Sequence, residues 1–280
     1  MNAPRIFDAE HYVTLNRSRG AVVSELVSLF KERLNLQTAA DIGCGLGDFS
    51  KFLEDHGFRV LGIDGREQNV AEAKLRFPDI NFRVGDAEDL PAAELGVFDV
   101  VLCFGLLYHL ENPFRTIRLL ELLTQKILFV EGMCVPGDKP LMELLDEGVE
   151  NDQGLRYVAF YPSETCLIKM LFCAGFPHVY RPAQPPEDIR YRSTYWRKRQ
   201  RAFLVASKVE LRTPTLIPLR QPVRAATGPG NPWDNALVRW LSPSSVLNFI
   251  SVRVPRFFRR PWGEKREILS WYMKRARNRK

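Results

Sequence analysis

The segment Asp41-Ile42-Gly43-Cys44-Gly45-Leu46-Gly47-Asp48 constrains the fold of this chain more than any other feature. It follows a short apolar run at 38–42 with strand character and leads into an amphipathic stretch at 46–56 with helical spacing. Glycines let the backbone turn sharply and approach a ligand closely, and a helix that starts there offers free N–H groups. Strand, glycine turn and helix in that order form the first unit of an open α/β sheet whose ligand lies beyond the strand ends. Spacing narrows the ligand. A dinucleotide fingerprint, G-x-G-x-x-G, needs glycine at position 48, where Asp48 stands. G-x-G-x-G preceded by Asp41 therefore argues against a nicotinamide dehydrogenase.

The same rhythm continues. Strands are predicted at 58–63, 80–84, 97–104, 127–131, 178–181 and 201–207, with helices at 67–77 and 114–123 between them. Ser163 is expected to cap a helix reaching Ala174, with Gly175 ending it. The expected architecture is α/β: a Rossmann-like, doubly wound, mostly parallel sheet of seven strands. Residues 1–37 read as a helical N-terminal cover with a helix near 20–33. Residues 38–207 read as the ligand-binding domain, with 132–162 as a long insertion suited to a substrate site. Residues 208–280 read as a separate basic extension, because seven prolines between Pro214 and Pro255 interrupt regular structure.

Charge supports that division. Residues 1–207 carry 24 Lys and Arg against 29 Asp and Glu, whereas 208–280 carry 16 against 4. The basic balance thus belongs to the extension, where Trp240, Phe249 and Arg253 typify a mixture suited to an anionic membrane surface or a protein partner. No run of 18 apolar residues and no secretory signal is evident. The five cysteines lack metal-site or disulfide patterning, which fits a reducing cytoplasm, while the extension would supply any peripheral attachment to a membrane.

Four motifs in order carry a family resemblance over about residues 38–207: Asp41 to Asp48; Val60-Leu61-Gly62-Ile63-Asp64; Val84-Gly85-Asp86-Ala87; and Phe98 to Phe104 followed by Leu107-Tyr108-His109-Leu110. Together they resemble class I S-adenosylmethionine (SAM) dependent methyltransferases. The resemblance implies a SAM site formed by Asp41, Gly43, Cys44, Gly45 and Gly47. Asp64 with Gly65 would hold the ribose hydroxyls, a task suited to a bidentate carboxylate. Asp86 and Ala87 would read the adenine, and Cys103 and Phe104 would back onto the methionine moiety. Tyr12 and Arg17 are candidates to reach its carboxylate from the N-terminal cover. His109 is a candidate general base and Tyr108 a candidate to contact the substrate or shield the sulfonium. Arg156, Tyr157 and Tyr161 are candidate substrate contacts. No metal site is expected.

The resemblance implies methyl transfer to oxygen or nitrogen of a small molecule, for example a saccharide or lipid-linked intermediate. Phe104 to Pro113, with Phe160-Tyr161-Pro162-Ser163 and Cys173-Ala174-Gly175-Phe176, also resembles the tRNA wobble-uridine carboxymethyltransferase branch. RNA modification is therefore an alternative, for which Trp196-Arg197-Lys198-Arg199-Gln200-Arg201 is the candidate nucleic-acid contact. A non-catalytic scaffold subunit is a second alternative.

Overall fold

The computed structural model describes residues 6–148, 153–193 and 200–222. The basic cluster at 194–199 and nearly all of the proline-containing extension, 223–280, lie outside the described residues.

The N-terminal cover is one long helix, α1 (Glu10–Phe30), which starts ten residues earlier than the apolar periodicity suggests. The difference has a simple cause: over its first three turns only Leu15 and Ser18–Gly20 are buried, so the stretch lacks an apolar stripe. Then come β1 (Thr38–Ile42), α2 (Asp48–Asp55), β2 (Arg59–Asp64), α3 (Glu67–Arg76), β3 (Asn81–Val84), a short α4 (Ala92–Leu95), β4 (Phe98–Phe104), α5 (Pro113–Leu123) and β5 (Thr124–Met133). A hairpin, β6 (Met142–Asp146) with β7 (Val158–Pro162), occupies the region expected as an insertion. The chain continues through α6 (Glu164–Ala174), β8 (His178–Pro182), β9 (Arg201–Ser207) and β10 (Leu216–Pro218). Ser163 caps α6 as expected, its hydroxyl accepting the Cys166 N–H at 3.1 Å.

The main sheet has eight strands in the order β10-β8-β9-β5-β4-β1-β2-β3. From β5 through β3 all neighbours are parallel, whereas β9 runs antiparallel to β5 and β8. The eighth strand corrects the expected count of seven. Leu216–Pro218 pairs antiparallel with β8, so the sheet continues beyond 207 into the segment read as extension. Its one proline, Pro218, escapes the usual veto because β10 is an edge strand, where a missing N–H can face outward. The strand order reverses between β1 and β4, which opens a crevice at their carboxyl ends.

Side chains alternate across β4. Val101 and Cys103 pack with Ile117 and Leu120 of α5 and Leu167 and Leu171 of α6. Val100, Leu102 and Phe104 face the other way, with Leu15, Val23 and Phe30 of α1. Period-two alternation and two covered faces account for a strand whose last six residues are buried. Each wholly buried Leu or Phe of these layers contributes roughly 1.5–3 kcal/mol. Glu131 follows Ile127 and Phe129 in the β5 alternation, so a carboxylate is directed to the α1 side.

Gly47 shows why α2 starts at Asp48 rather than at 46. Its φ is +88°, outside the helical region, and an added Cβ would come within 2.7 Å of the Phe82 ring.

Candidate active site

The crevice at the β1–β4 switch opens into a cavity of about 310 Å³. Gly43, Cys44 and Gly45 form its floor at the end of β1, with Asp41 beneath them. Asp64 and Gly65 arrive from β2, Asp86 and Ala87 from β3, and Phe104 from β4. These predicted residues converge because parallel strands end on the same edge. Two do not reach it. Gly47 is a helix-start residue packed against Phe82. Cys103, wholly buried, points to the α5–α6 face, since alternation turns it away from its neighbour Phe104.

Acids dominate the β1–β3 side. Asp41 is 3% exposed and accepts a hydrogen bond from the Ser50 hydroxyl at 2.8 Å. Burial, with the charges of Asp64 and Asp48 adding to it against the Ser50 bond, pushes its pKa up to about 7. Asp64 Oδ2 accepts the Gly45 N–H at 2.9 Å, and Oδ1 accepts the Arg66 N–H and the Asn69 amide. Burial still raises its pKa above the usual carboxylate range. A cation would relieve this strain, and a sulfonium with a nearby ammonium is such a group.

Asp86 differs from expectation. Its Oδ1 accepts the Glu88 N–H, and its Oδ2 is bound by Arg156 Nη2 at 2.7 Å. Partial burial opposes ionisation, but the Glu88 N–H and Arg156 outweigh it and hold the carboxyl below its ordinary pKa. Arg156 also meets Glu88 at 2.6 Å. It therefore fastens the hairpin to the β3 turn and is absent from the cavity wall. Tyr157, 54% exposed, and Tyr161, which meets the Tyr108 ring edge-on at 5.4 Å, do not line the cavity either. Gln153, Gly154 and Leu155, just ahead of them, line it instead.

One face of α1 closes the cavity with Tyr12, Leu15, Asn16 and Arg19, spaced three and four residues apart. Arg17 lies about 200° around the helix from Arg19. It is exposed and borders a different groove, with Gly20, Ser24 and Phe52. Arg19 thus stands where the sequence pointed to Arg17.

Arg19 belongs to a buried cluster that sequence inspection misses. Its Nη2 lies 2.5 Å from Glu131 Oε2, while Arg201 Nε donates to Glu131 Oε1 at 2.6 Å. Tyr191 adds its hydroxyl to Oε1 at 2.7 Å. Burial opposes the Glu131 charge, yet the two arginines outweigh it and keep its pKa below the ordinary value. Two guanidiniums against one carboxylate leave a net positive charge, and Arg19 Nε has no hydrogen-bond partner. Both arginines line the cavity. Arg201 was expected in a nucleic-acid patch; it is 5% exposed in β9. The only signal for this cluster was a glutamate ending an apolar strand.

Tyr108 and His109 both line the cavity, in the helical turn after β4. Arg201 stands 5.7 Å from the Tyr108 ring centroid. His109 Nδ1 lies 2.5 Å from Glu147 Oε1. Among the described residues there is no metal-binding cluster and no helix long and apolar enough to cross a membrane. All five cysteines are free thiols.

Residues 40–124 match the family model described as "Methyltransferase domain". Over 90 residues the chain is 33% identical to a ubiquinone biosynthesis O-methyltransferase of Nitrosospira multiformis, covering 31% of this chain and 38% of that protein. Over 85 residues it is 38% identical to the Caulobacter vibrioides protein of the same description, covering 29% and 34%. The matches thus span little more than a third of those relatives. In fold it is similar to the N-terminal domain of EvdMO1, solved with SAH bound (TM-score 0.54, 20% identity, 66% of this chain and 80% of that one). It is also similar to a putative SAM-dependent methyltransferase from Listeria monocytogenes (TM-score 0.51, 20% identity, 69% and 100%). Residues 40–124 are thus a methyltransferase domain by family match, in a fold similar to that of the putative SAM-dependent methyltransferase.

Proposed function

We propose that the protein transfers the SAM methyl group to an oxygen or nitrogen of a small molecule, with a hydroxyl the preferred acceptor. The observation that carries this reading is a single cavity in which the glycine turn, Asp41 and Asp64 stand on one side and His109 on the other. SAM supplies a methyl group already activated on a sulfonium. The residues present fit it. Asp64 offers a carboxylate to the ribose hydroxyls, and Asp41 offers a charge to the ammonium. Arg19, with its unpartnered Nε, offers a donor to the carboxylate. Leu155 and Phe104 supply apolar walls that exclude water.

Because the methyl group is activated, most of the acceleration comes from aligning acceptor and donor inside the enclosed space. An amine acceptor needs no strong base, whereas a hydroxyl gains from one, and His109 is positioned in the wall to serve. Relatives named as ubiquinone biosynthesis O-methyltransferases support an oxygen acceptor. The burial of Arg201 weakens the RNA alternative, since that residue is unavailable to a phosphate backbone. Saccharides and lipid-linked intermediates are the first acceptor classes to assay.

Calorimetry with SAM and with its demethylated product tests the donor; binding of neither overturns the reading. Transfer of labelled methyl from SAM to the small-molecule fraction of a cell extract, compared with its RNA fraction, tests the acceptor class. Label confined to RNA overturns the small-molecule reading.

A further inference from the structure

The segment between β6 and β7 does more than give Gln153, Gly154 and Leu155 to the cavity wall. It brings Glu147 against the turn that carries His109, 38 residues earlier in the chain. Glu147 Oε1 lies 2.5 Å from His109 Nδ1, and its side chain is 5% exposed. Its other oxygen, Oε2, accepts the Gly154 N–H at 2.8 Å. Among the described residues no lysine or arginine pairs with this carboxylate; its one ionic partner is the imidazole. Gly154 is required by the approach: an added Cβ would fall 2.5 Å from the His109 carbonyl oxygen and 2.8 Å from Glu147 Oε2. The backbone therefore comes in close enough to hold the carboxylate against the ring.

A carboxylate on Nδ1 has two effects. It holds the proton of the neutral ring on Nδ1, which leaves the Nε2 lone pair as the acceptor, and it stabilises the imidazolium formed when Nε2 takes a proton. Nε2 makes no hydrogen bond among the described residues, so it is available for that proton.

The geometry points to Glu147 as a positioning residue that makes His109 the general base for a hydroxyl acceptor. This rests on the methyltransferase reading above. In the step, the acceptor oxygen gains the methyl carbon and gives its proton to Nε2. The electron pair of the broken carbon–sulfur bond stays on sulfur, which becomes a neutral thioether. The imidazolium left behind faces the Glu147 carboxylate. Tyr108 and Tyr161 are the titratable groups facing the pair, with Arg201 behind Tyr108.

The test is nitrogen NMR of the intact protein with labelled histidine, in which His109 is one of four to be assigned, using His109→Asn. In the wild type His109 is expected as the Nδ1–H form with unprotonated Nε2 at pH 8, and in Glu147→Ala the preference of the ring proton for Nδ1 is expected to be lost. Wild-type His109 present mainly as the Nε2–H form overturns the proposal without any variant. An unchanged tautomer in Glu147→Ala overturns it as well. In the labelled-methyl assay on the small-molecule fraction, Glu147→Gln is expected to lower the rate about tenfold or more, and Glu147→Gln/His109→Asn to be no slower than His109→Asn alone. Additive losses overturn the coupling. SAM affinity by calorimetry is expected to stay within about twofold of wild type. Absence of SAM binding in the wild type would defeat the methyltransferase reading instead, leaving the histidine spectra to report on the pair.

Discussion

Arg19 of the first helix and Glu131 of the central strand meet at 2.5 Å, across 112 residues of sequence, with both side chains almost wholly buried. The contact joins the N-terminal cover to the sheet at the wall of the cavity. Arg201 grips the opposite carboxylate oxygen, so one acid holds two cations away from water.

Removing that acid should be severe. Glu131→Gln leaves two buried guanidiniums without their counter-charge, a loss of about 3–5 kcal/mol. A lowered midpoint in urea unfolding checks this; a midpoint within experimental error of wild type would remove the cluster's structural role.

Arg19 and Arg17 should separate cleanly. Arg19→Ala is expected to weaken SAM binding roughly ten- to hundredfold, the range for a charge-assisted bond. Arg17→Ala, on the other flank of α1, should leave it unchanged. Calorimetry on the two variants decides, and equal losses would contradict the placement of Arg19 and Arg17 on different flanks of α1.

Asp41 makes the site sensitive to pH. Its folded pKa of about 7 lies above the value near 3.9 of an unfolded chain. The folded protein therefore holds an extra proton between those values. Its contribution to stability is fully present below about pH 4 and is lost as pH rises through about 7, by about 4 kcal/mol at most. A bound cation favours the carboxylate, so SAM binding should tighten between about pH 6 and 8 and release a proton. Calorimetry in two buffers of different ionisation enthalpy measures that proton. In Asp41→Asn both the release and the pH slope should vanish.

Gly47→Ala should destabilise the fold by about 2 kcal/mol or more, through backbone strain and the clash with Phe82. Because Gly47 does not line the cavity, the folded variant should keep its SAM affinity. A selective loss of SAM binding at unchanged thermal stability would show that Gly47 belongs to the cofactor site.

Much of the site was legible from residues whose position follows from local geometry. Asp41, Gly43, Gly45, Asp64 and Asp86 each stand at the end of a strand, and parallel strands bring their ends together. Cys103 was misjudged because adjacency in sequence does not survive alternation across a strand. Arg156 and Tyr161 were reasonable pocket candidates, but an ion pair with Asp86 and a ring contact with Tyr108 turned them aside. Arg17 and Arg19 differ only in helical phase, and the helix start that sets the phase carries little apolar signal.

The sequence by itself determined the order of the first five strands and their main helices, the turn at 41–48 and its mismatch with a dinucleotide fingerprint. Those are matters of φ, side-chain period and residue spacing, which act over a few residues. Tertiary structure alone decided that Glu131 serves Arg19 and Arg201, that Glu147 meets His109 and that Gly154 lets it do so. Such pairings depend on distances between segments far apart in the chain. A buried charge is tolerated only where folding brings its partner within hydrogen-bond reach.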